Sequence, residues 1–240
     1  MDLADRIPDW IKQKAGEAQA KGVVLGLSGG VDSAVVSILC KQAFPKNTLA
    51  LILPCHSSKE DVQHAQEFAQ KFDIQIKEVD LTSVFETLYI ALEGKTYKDQ
   101  INLCTANLKP RLRMTALYYF ANKLNYLVIG TGNKSELTMG YFTKYGDGGV
   151  DLLPLGDLTK TGVRKLAVEL GVPQEIIDKA PSAGLWQGQT DEGEMGITYM
   201  MLDNILSGEL KGIPQEKIDL VKRKEVINRH KRALPDIFKK

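Results

Sequence analysis

Two kinds of apolar pattern alternate along the chain. Short, nearly continuous apolar runs at Gly22–Leu27, Thr48–Leu53 and Tyr126–Gly130 suit strands covered on both faces. Residues 74–79 alternate apolar and polar side chains and add another strand. Between the runs, apolar residues return at helical spacing. Leu3, Ile7, Trp10 and Ile11, with Lys14, predict a leading amphipathic helix over 2–19, with Pro8 in an early turn and a face meeting the core or another subunit. Residues 32–44 read as a buried helix stopped by Pro45-Lys46-Asn47. Ser58 followed by Asp61 resembles a capping box, before a helix facing inward through Val62, Ala65, Ala69 and Phe72. Val84, Leu88 and Leu92 mark a further helix, residues 94–102 a mobile connection, and residues 105–122 one long helix. Strands alternating with helices in this way predict an α/β fold, a doubly wound parallel sheet flanked by helices, with ligands bound beyond the carboxyl ends of the strands.

At such an end lies Gly26-Leu27-Ser28-Gly29-Gly30-Val31-Asp32-Ser33. Glycines at 29 and 30 let the backbone approach a ligand closely, and the N–H groups at the following helix start attract phosphate oxygens. Ser28 and Ser33 add hydroxyls. Asp32 is a hard oxygen donor placed where phosphate would sit, and two neighbouring anions imply a bridging Mg²⁺. The Walker pattern requires Lys before the helical Ser, where Asp32 stands; the dinucleotide fingerprint requires Gly where Ser28 stands. The stretch instead resembles the SGGxDS loop of the ATP pyrophosphatases, which holds the pyrophosphate released when ATP gives AMP to an acceptor.

The loop after the 126–130 strand, Thr131 to Glu136, adds a hydroxyl, a glycine and a carboxylate, so Glu136 becomes the second candidate Mg²⁺ ligand beside Asp32. Residues 139–158 interleave aromatic, charged and glycine residues with neither period, which suits an irregular site loop. Lys144 and the Asp147/Asp151 pair are its chemically relevant features. Lys160 follows Thr159 at a helix start, where the dipole disfavours a cation and an anionic partner is expected.

The 240 residues carry a formal charge of +1, so no global field draws in nucleic acid or an anionic membrane. Without repeats or a low-complexity linker, they are expected to form one domain, 1–240. No apolar run approaches the roughly 18 residues of a membrane span, and the opening residues lack a basic-then-apolar leader, so a cytoplasmic protein is expected. Cys40, Cys55 and Cys104 form no Cys-x-x-Cys pair and are expected to be reduced core or subsurface residues.

Several segments jointly resemble ammonia-dependent NAD⁺ synthetases of the ATP pyrophosphatase superfamily, whose fold is of the adenine nucleotide alpha-hydrolase type. They are the 28–33 loop, Lys109-Pro110-Arg111-Leu112-Arg113-Met114, 130–136, Phe142-Thr143-Lys144-Tyr145-Gly146-Asp147-Gly148-Gly149, Lys179-Ala180-Pro181-Ser182-Ala183 and His230-Lys231-Arg232. The resemblance implies ATP along Gly26 to Ser33, its adenosine near Thr131, its phosphates touched by Lys160 and Ser182, and Mg²⁺ between Asp32 and Glu136. It implies deamido-NAD⁺ held by Arg111, Lys144, Asp151, His230 and Lys231, at the interface of a homodimer. Ser182 stands where many relatives have Thr, and the hydroxyl is kept. Residues 183–196 match the family's mobile lid. The implied reaction makes an acyl adenylate from the nicotinate carboxylate and ATP, which ammonia converts to the amide. Lys160 would stabilise the departing pyrophosphate, and Asp147 is the candidate to bind ammonium and take its proton. No glutaminase domain is expected. A tRNA-modifying relative is disfavoured by the missing Cys-x-x-Cys and basic surface, and a non-catalytic nucleotide-binding regulator by the carboxylates and basic residues together.

Overall fold

The computed structural model describes residues 2–98, 102–186 and 188–239. The chain begins with α1 (Leu3–Glu17), capped by Asp2, and enters β1 (Gly22–Gly26), α2 (Val31–Ala43), β2 (Thr48–Ile52), α3 (Lys59–Lys71), β3 (Ile76–Glu78) and α4 (Thr82–Glu93). Short α5 (Leu103–Ala106) leads to α6 (Leu108–Leu124), β4 (Tyr126–Ile129) and α7 (Lys134–Met139). An irregular passage precedes α8 (Lys160–Glu169) and α9 (Gln174–Asp178). The chain then forms α10 (Asp191–Met195), α11 (Tyr199–Ser207), α12 (Gln215–Ile227) and a 3₁₀ turn, Arg229–Lys231.

The sheet has strand order β3-β2-β1-β4 with every pairing parallel, as the apolar runs predict. β1 is central, and its side chains divide between two cores. Val23 and Leu25 join α1, α2, α3 and α8 on one face, while Val24 joins Leu51, Val128, Phe85 of α4 and Ala121 of α6 on the other. Each fully buried Leu or Val contributes about 1.5–3 kcal/mol. The chain leaves β1 toward β2 on one side and β4 lies on the other, so the loops following β1 and β4 open at the topological switch point. A third cluster, Met139, Met195, Ile197, Tyr199, Leu202 and Val221, packs α10–α12 against α7.

Several expectations shift in register. In α1, Ile7 and Ile11 are buried against α2 and α8, whereas Leu3 and Trp10 face solvent, and Pro8 lies past the first turn, where it forfeits one backbone donor. In α4 the inward face is Phe85 and Tyr89; Val84 and Leu92 point outward. The 105–122 helix is two helices parted at Asn107. β3 shrinks to three exposed edge residues. Of the expected mobile connection, residues 99–101 lie outside the described residues. Tyr97 before them packs edge-on to Phe85 and against Tyr89 and His56. Cys40 and Cys55 are buried thiols, whereas Cys104 is exposed. Among the described residues no helix is long and apolar enough to cross a membrane.

Candidate active site

The loop from Gly26 to Ser33 is built from its own hydroxyls. Ser33 Oγ donates to Gly30 O at 2.9 Å and lies 3.0 Å from Ser28 Oγ, while Gly30 N donates to Ser28 Oγ at 3.3 Å. Gly29 adopts φ +77°, and a Cβ there would lie 2.7 Å from the Asp61 carbonyl on α3. The turn therefore needs glycine for conformation and for space. Asp61 is itself paired with Lys179, so the residues before the 181–189 segment are fastened beside the loop.

Asp32, in the first turn of α2, accepts hydrogen bonds from Lys160 Nζ and, at 3.0 Å, from Asn133 Nδ2. Asn133 caps α7 in a capping box: its Oδ1 accepts from Glu136 N at 3.0 Å, and its backbone N–H donates to Glu136 Oε2 at 3.3 Å. The box leaves Glu136 Oε1 facing Lys160 Nζ at 3.3 Å and the Tyr199 hydroxyl at 3.3 Å. Helix-start preference and site chemistry thus use different oxygens of one carboxylate. Lys160, 3% exposed, sits at the first position of α8 against the helix dipole, and the anionic partner expected for it is this carboxylate pair.

Burial, then the charge of Asp32, push Glu136 up to about 7, although Lys160 and the Asn133 amide pull the other way. Burial opposes the charge on Lys160, but Asp32 and then Glu136 override it and hold its pKa above the ordinary lysine value. Behind them Asp191 Oδ2 accepts from the Tyr199 hydroxyl at 2.9 Å, while its buried Oδ1 has no partner among the described residues. Burial first, tempered by Tyr199 and Lys160, raises the Asp191 carboxyl. Asp32 and Glu136 both present oxygens to the Lys160 ammonium, and such hard donors are also of the kind that Mg²⁺ takes. Among the described residues no set of three or more His, Cys, Asp or Glu makes a fuller metal shell.

A second group gathers around residues 139–151. Lys144 Nζ donates to His230 O at 2.6 Å, Arg111 Nη2 reaches Lys144 O at 3.5 Å, and Lys231 Nζ donates to Gly140 O at 2.7 Å and Phe142 O at 3.0 Å. The exposed Tyr145 takes φ +60° beneath Lys144. Asp151 is exposed but turned to the edge of β4: its carboxylate accepts from Tyr118 OH at 3.0 Å and from Val128 N at 2.8 Å. Asp147 Oδ1 accepts from Thr143 N at 2.8 Å and shapes the turn. Although Asp147 is exposed to solvent, crowding by the surrounding chain raises its carboxyl, partly countered by that amide. The structure thus joins Arg111, Lys144, His230 and Lys231 into one neighbourhood, and Asp32, Glu136 and Lys160 into another.

Thr131 lies in the loop after β4, and Ser182 is exposed, its hydroxyl accepting from Gly184 N at 3.1 Å. The expected lid is more tethered than its glycines suggest. Lys109 Nζ donates to Leu185 O at 2.6 Å, Asp191 N donates to Pro181 O at 3.1 Å, and Glu194 accepts from Gln189 at 2.6 Å and Tyr141 at 2.5 Å. Residue 187 lies outside the described residues. Sequence reasoning missed Asn133 and Tyr199. Asn133, three residues before Glu136, carried a readable capping signal; Tyr199 carried none, because it reaches the site through tertiary packing.

Comparison with known proteins supplies independent ground. The profile of the family described as NAD synthase matches residues 3–235. An NH₃-dependent NAD⁺ synthetase of Carboxydothermus hydrogenoformans is 50% identical over 237 residues, 98% of this chain and 96% of the relative. Among solved structures, an NMN synthetase from Francisella tularensis superimposes with TM-score 0.91 at 38% identity, covering 98% of this chain and 96% of that one. An NH₃-dependent NAD synthetase from Campylobacter jejuni gives TM-score 0.81 at 31% identity over 100% of both chains. The parallel sheet, its switch-point loop and this near full-length similarity lead to one conclusion: the chain belongs to the NAD synthase family.

Proposed function

We propose that this protein is an ammonia-dependent NAD⁺ synthetase that amidates deamido-NAD⁺, consuming ATP and releasing AMP and pyrophosphate. The observation that carries the reading is the buried Lys160 held by the part-buried Asp32 and Glu136 beside the glycine-rich loop, at the sheet's switch point, in a chain of this family.

In this reading ATP lies along Gly26–Ser33, with adenosine near Thr131. Its phosphate oxygens replace the bonds that Ser28 and Ser33 now make to one another, and Ser182 reaches the phosphates from the 181–189 segment. A nicotinate carboxylate oxygen attacks the α-phosphorus and the bond to pyrophosphate breaks. Lys160, held charged by its two carboxylates, turns toward the negative charge gathering on the leaving group. Mg²⁺, held by Asp32 and Glu136, supplies Lewis-acid neutralisation of the phosphates when bound. Ammonia then attacks the acyl carbon of the adenylate and AMP departs with one former carboxylate oxygen. Because ammonium predominates near neutral pH, Asp147 is assigned to bind it and take a proton.

Arg111, Lys144, Asp151, His230 and Lys231 are assigned to the dinucleotide. Four of them, Arg111, Lys144, His230 and Lys231, share a neighbourhood that, among the described residues, is not hydrogen-bonded to the Asp32 centre, which suits a long two-ended substrate, while Asp151 stands at the edge of β4. A homodimer with this face at its interface completes the reading, with the whole of 1–240 acting as one synthetase domain fed by free ammonia. A second reading, a mononucleotide acceptor in place of the dinucleotide, is favoured by the 0.91 TM-score to the Francisella tularensis enzyme named an NMN synthetase.

One assay separates these. The protein is incubated with ATP, Mg²⁺, ammonium and either deamido-NAD⁺ or its mononucleotide counterpart, and amide and AMP are quantified. Equal amounts of NAD⁺ and AMP from the dinucleotide are expected. Turnover with the mononucleotide alone would select the second reading, and no AMP with either acceptor would contradict both.

A further inference from the structure

Asp203 on α11 has no assigned part in the chemistry above, yet it is only 7% exposed. A carboxylate so deeply placed needs hydrogen-bond partners. Its Oδ1 accepts from the Ser135 hydroxyl at 2.5 Å, and its Oδ2 accepts from Thr161 N at 2.8 Å. Ser135 Oγ in turn accepts from Lys160 N at 3.0 Å. These amides are the first two N–H groups of α8, which have no partner within the helix, and Thr159 Oγ1 takes the third, from Gly162, at 3.3 Å.

The capping arrangement has an unusual address. The first residue of α8 is Lys160, whose Nζ holds Asp32 and Glu136, and Ser135 immediately precedes Glu136 in α7. One carboxylate from the C-terminal helices therefore grips the backbone of α8 at Lys160–Thr161 and the side chain next to Glu136 in α7. Its negative charge at the start of α8 also offsets the cost of placing a lysine ammonium there. α11 packs against both α7 and α8, so the grip is backed by apolar contact.

We infer that Asp203 is a positioning residue. Through Ser135 and the Thr161 amide it fixes Lys160 Nζ relative to Asp32 and Glu136, and so sets the geometry of pyrophosphate departure. The inference rests on the proposed synthetase reading. A helix cap of purely structural value would affect stability while leaving the folded enzyme's turnover intact.

The test uses Asp203→Asn, Ser135→Ala and the double variant, beside the wild type, with AMP and amide release followed at saturating ammonium. Misplacement of a reacting group by about 1 Å can cost about 100-fold, so each single variant is expected to lose about 10- to 100-fold in kcat. KM for ATP should stay within about threefold. Because both side chains act in one bridge, the double variant should be no worse than the more severe single variant. A crystal structure of Asp203→Asn should show Lys160 Nζ released from Asp32 or Glu136. Wild-type kcat in a folded Asp203→Asn, losses that multiply, or an unmoved Lys160 would each overturn the inference. Should Asp203→Asn not fold, Ser135→Ala alone decides by the same kcat and structural criteria. An inactive wild type would instead contradict the synthetase reading, and the position of Lys160 in the variant crystals would still decide the role of Asp203.

Discussion

The carboxylate of Glu136 shows how one residue serves two levels of organisation. Oε2 completes the cap of α7, and Oε1 meets Lys160. With its pKa raised from 4.5 to about 7, the folded metal-free protein holds this proton more tightly than the unfolded chain does. The resulting stability is fully present below about pH 4.5 and is lost as pH rises through 7. Denaturant titrations should therefore show metal-free stability declining over that window, the decline shallower in Glu136→Gln, where the raised carboxyls of Asp147 and Asp191 remain, and reduced by Mg²⁺, which favours the ionised form. Equal slopes in the wild type and Glu136→Gln would show that burial of this carboxylate is not felt. Lys160 was legible as a cation needing an anion because of its place at a helix start. The identity of both partners needed the fold, since they lie 128 and 24 positions away in sequence.

At the scale of elements, the glycine-rich turn was the most legible feature, because backbone requirements leave a direct mark on sequence. Gly29→Ala tests that requirement. An alanine there must adopt φ near +77° and meet the Asp61 carbonyl at 2.7 Å, so the loop has to shift against α3. The expected cost is about 1–2 kcal/mol from the left-handed conformation alone, measured by urea unfolding, with ATP affinity falling in parallel. Unchanged unfolding midpoint and ATP affinity would contradict the close approach seen here. Apolar runs located β1, β2 and β4, because parallel strands covered on both faces need continuous apolar sequence, whereas the exposed edge strand β3 showed only as an alternation. Helix faces were harder to place. In α4, Val84 and Leu92 satisfy the helical period as well as Phe85 and Tyr89 do, and the aromatic cluster with Tyr97 decides which face turns inward. The break at Asn107 was hidden because residues on both sides suit a helix.

At the scale of the whole molecule, the central sheet carries the loop chemistry and α10–α12 form a separate apolar cluster behind it. Tyr199 and Asp203 reach the site from that cluster, and nothing local in their sequence announces it. Outward apolar residues remain on α4 and its neighbours, including Val84, Leu92, Leu103 and Tyr119. The homodimer proposed around the Arg111–Lys231 face has a direct hydrodynamic signature. Sedimentation velocity should give twice the chain mass at micromolar concentration, and a monomer would contradict that assembly. In the proposed reaction the glycine-rich loop activates a carboxylate as an adenylate before nitrogen arrives. That activation is tested most directly by supplying acceptor labelled with ¹⁸O in the nicotinate carboxylate and weighing the products. AMP should carry one labelled oxygen and pyrophosphate none, whereas unlabelled AMP, or label in a phosphate product other than AMP, would contradict the account.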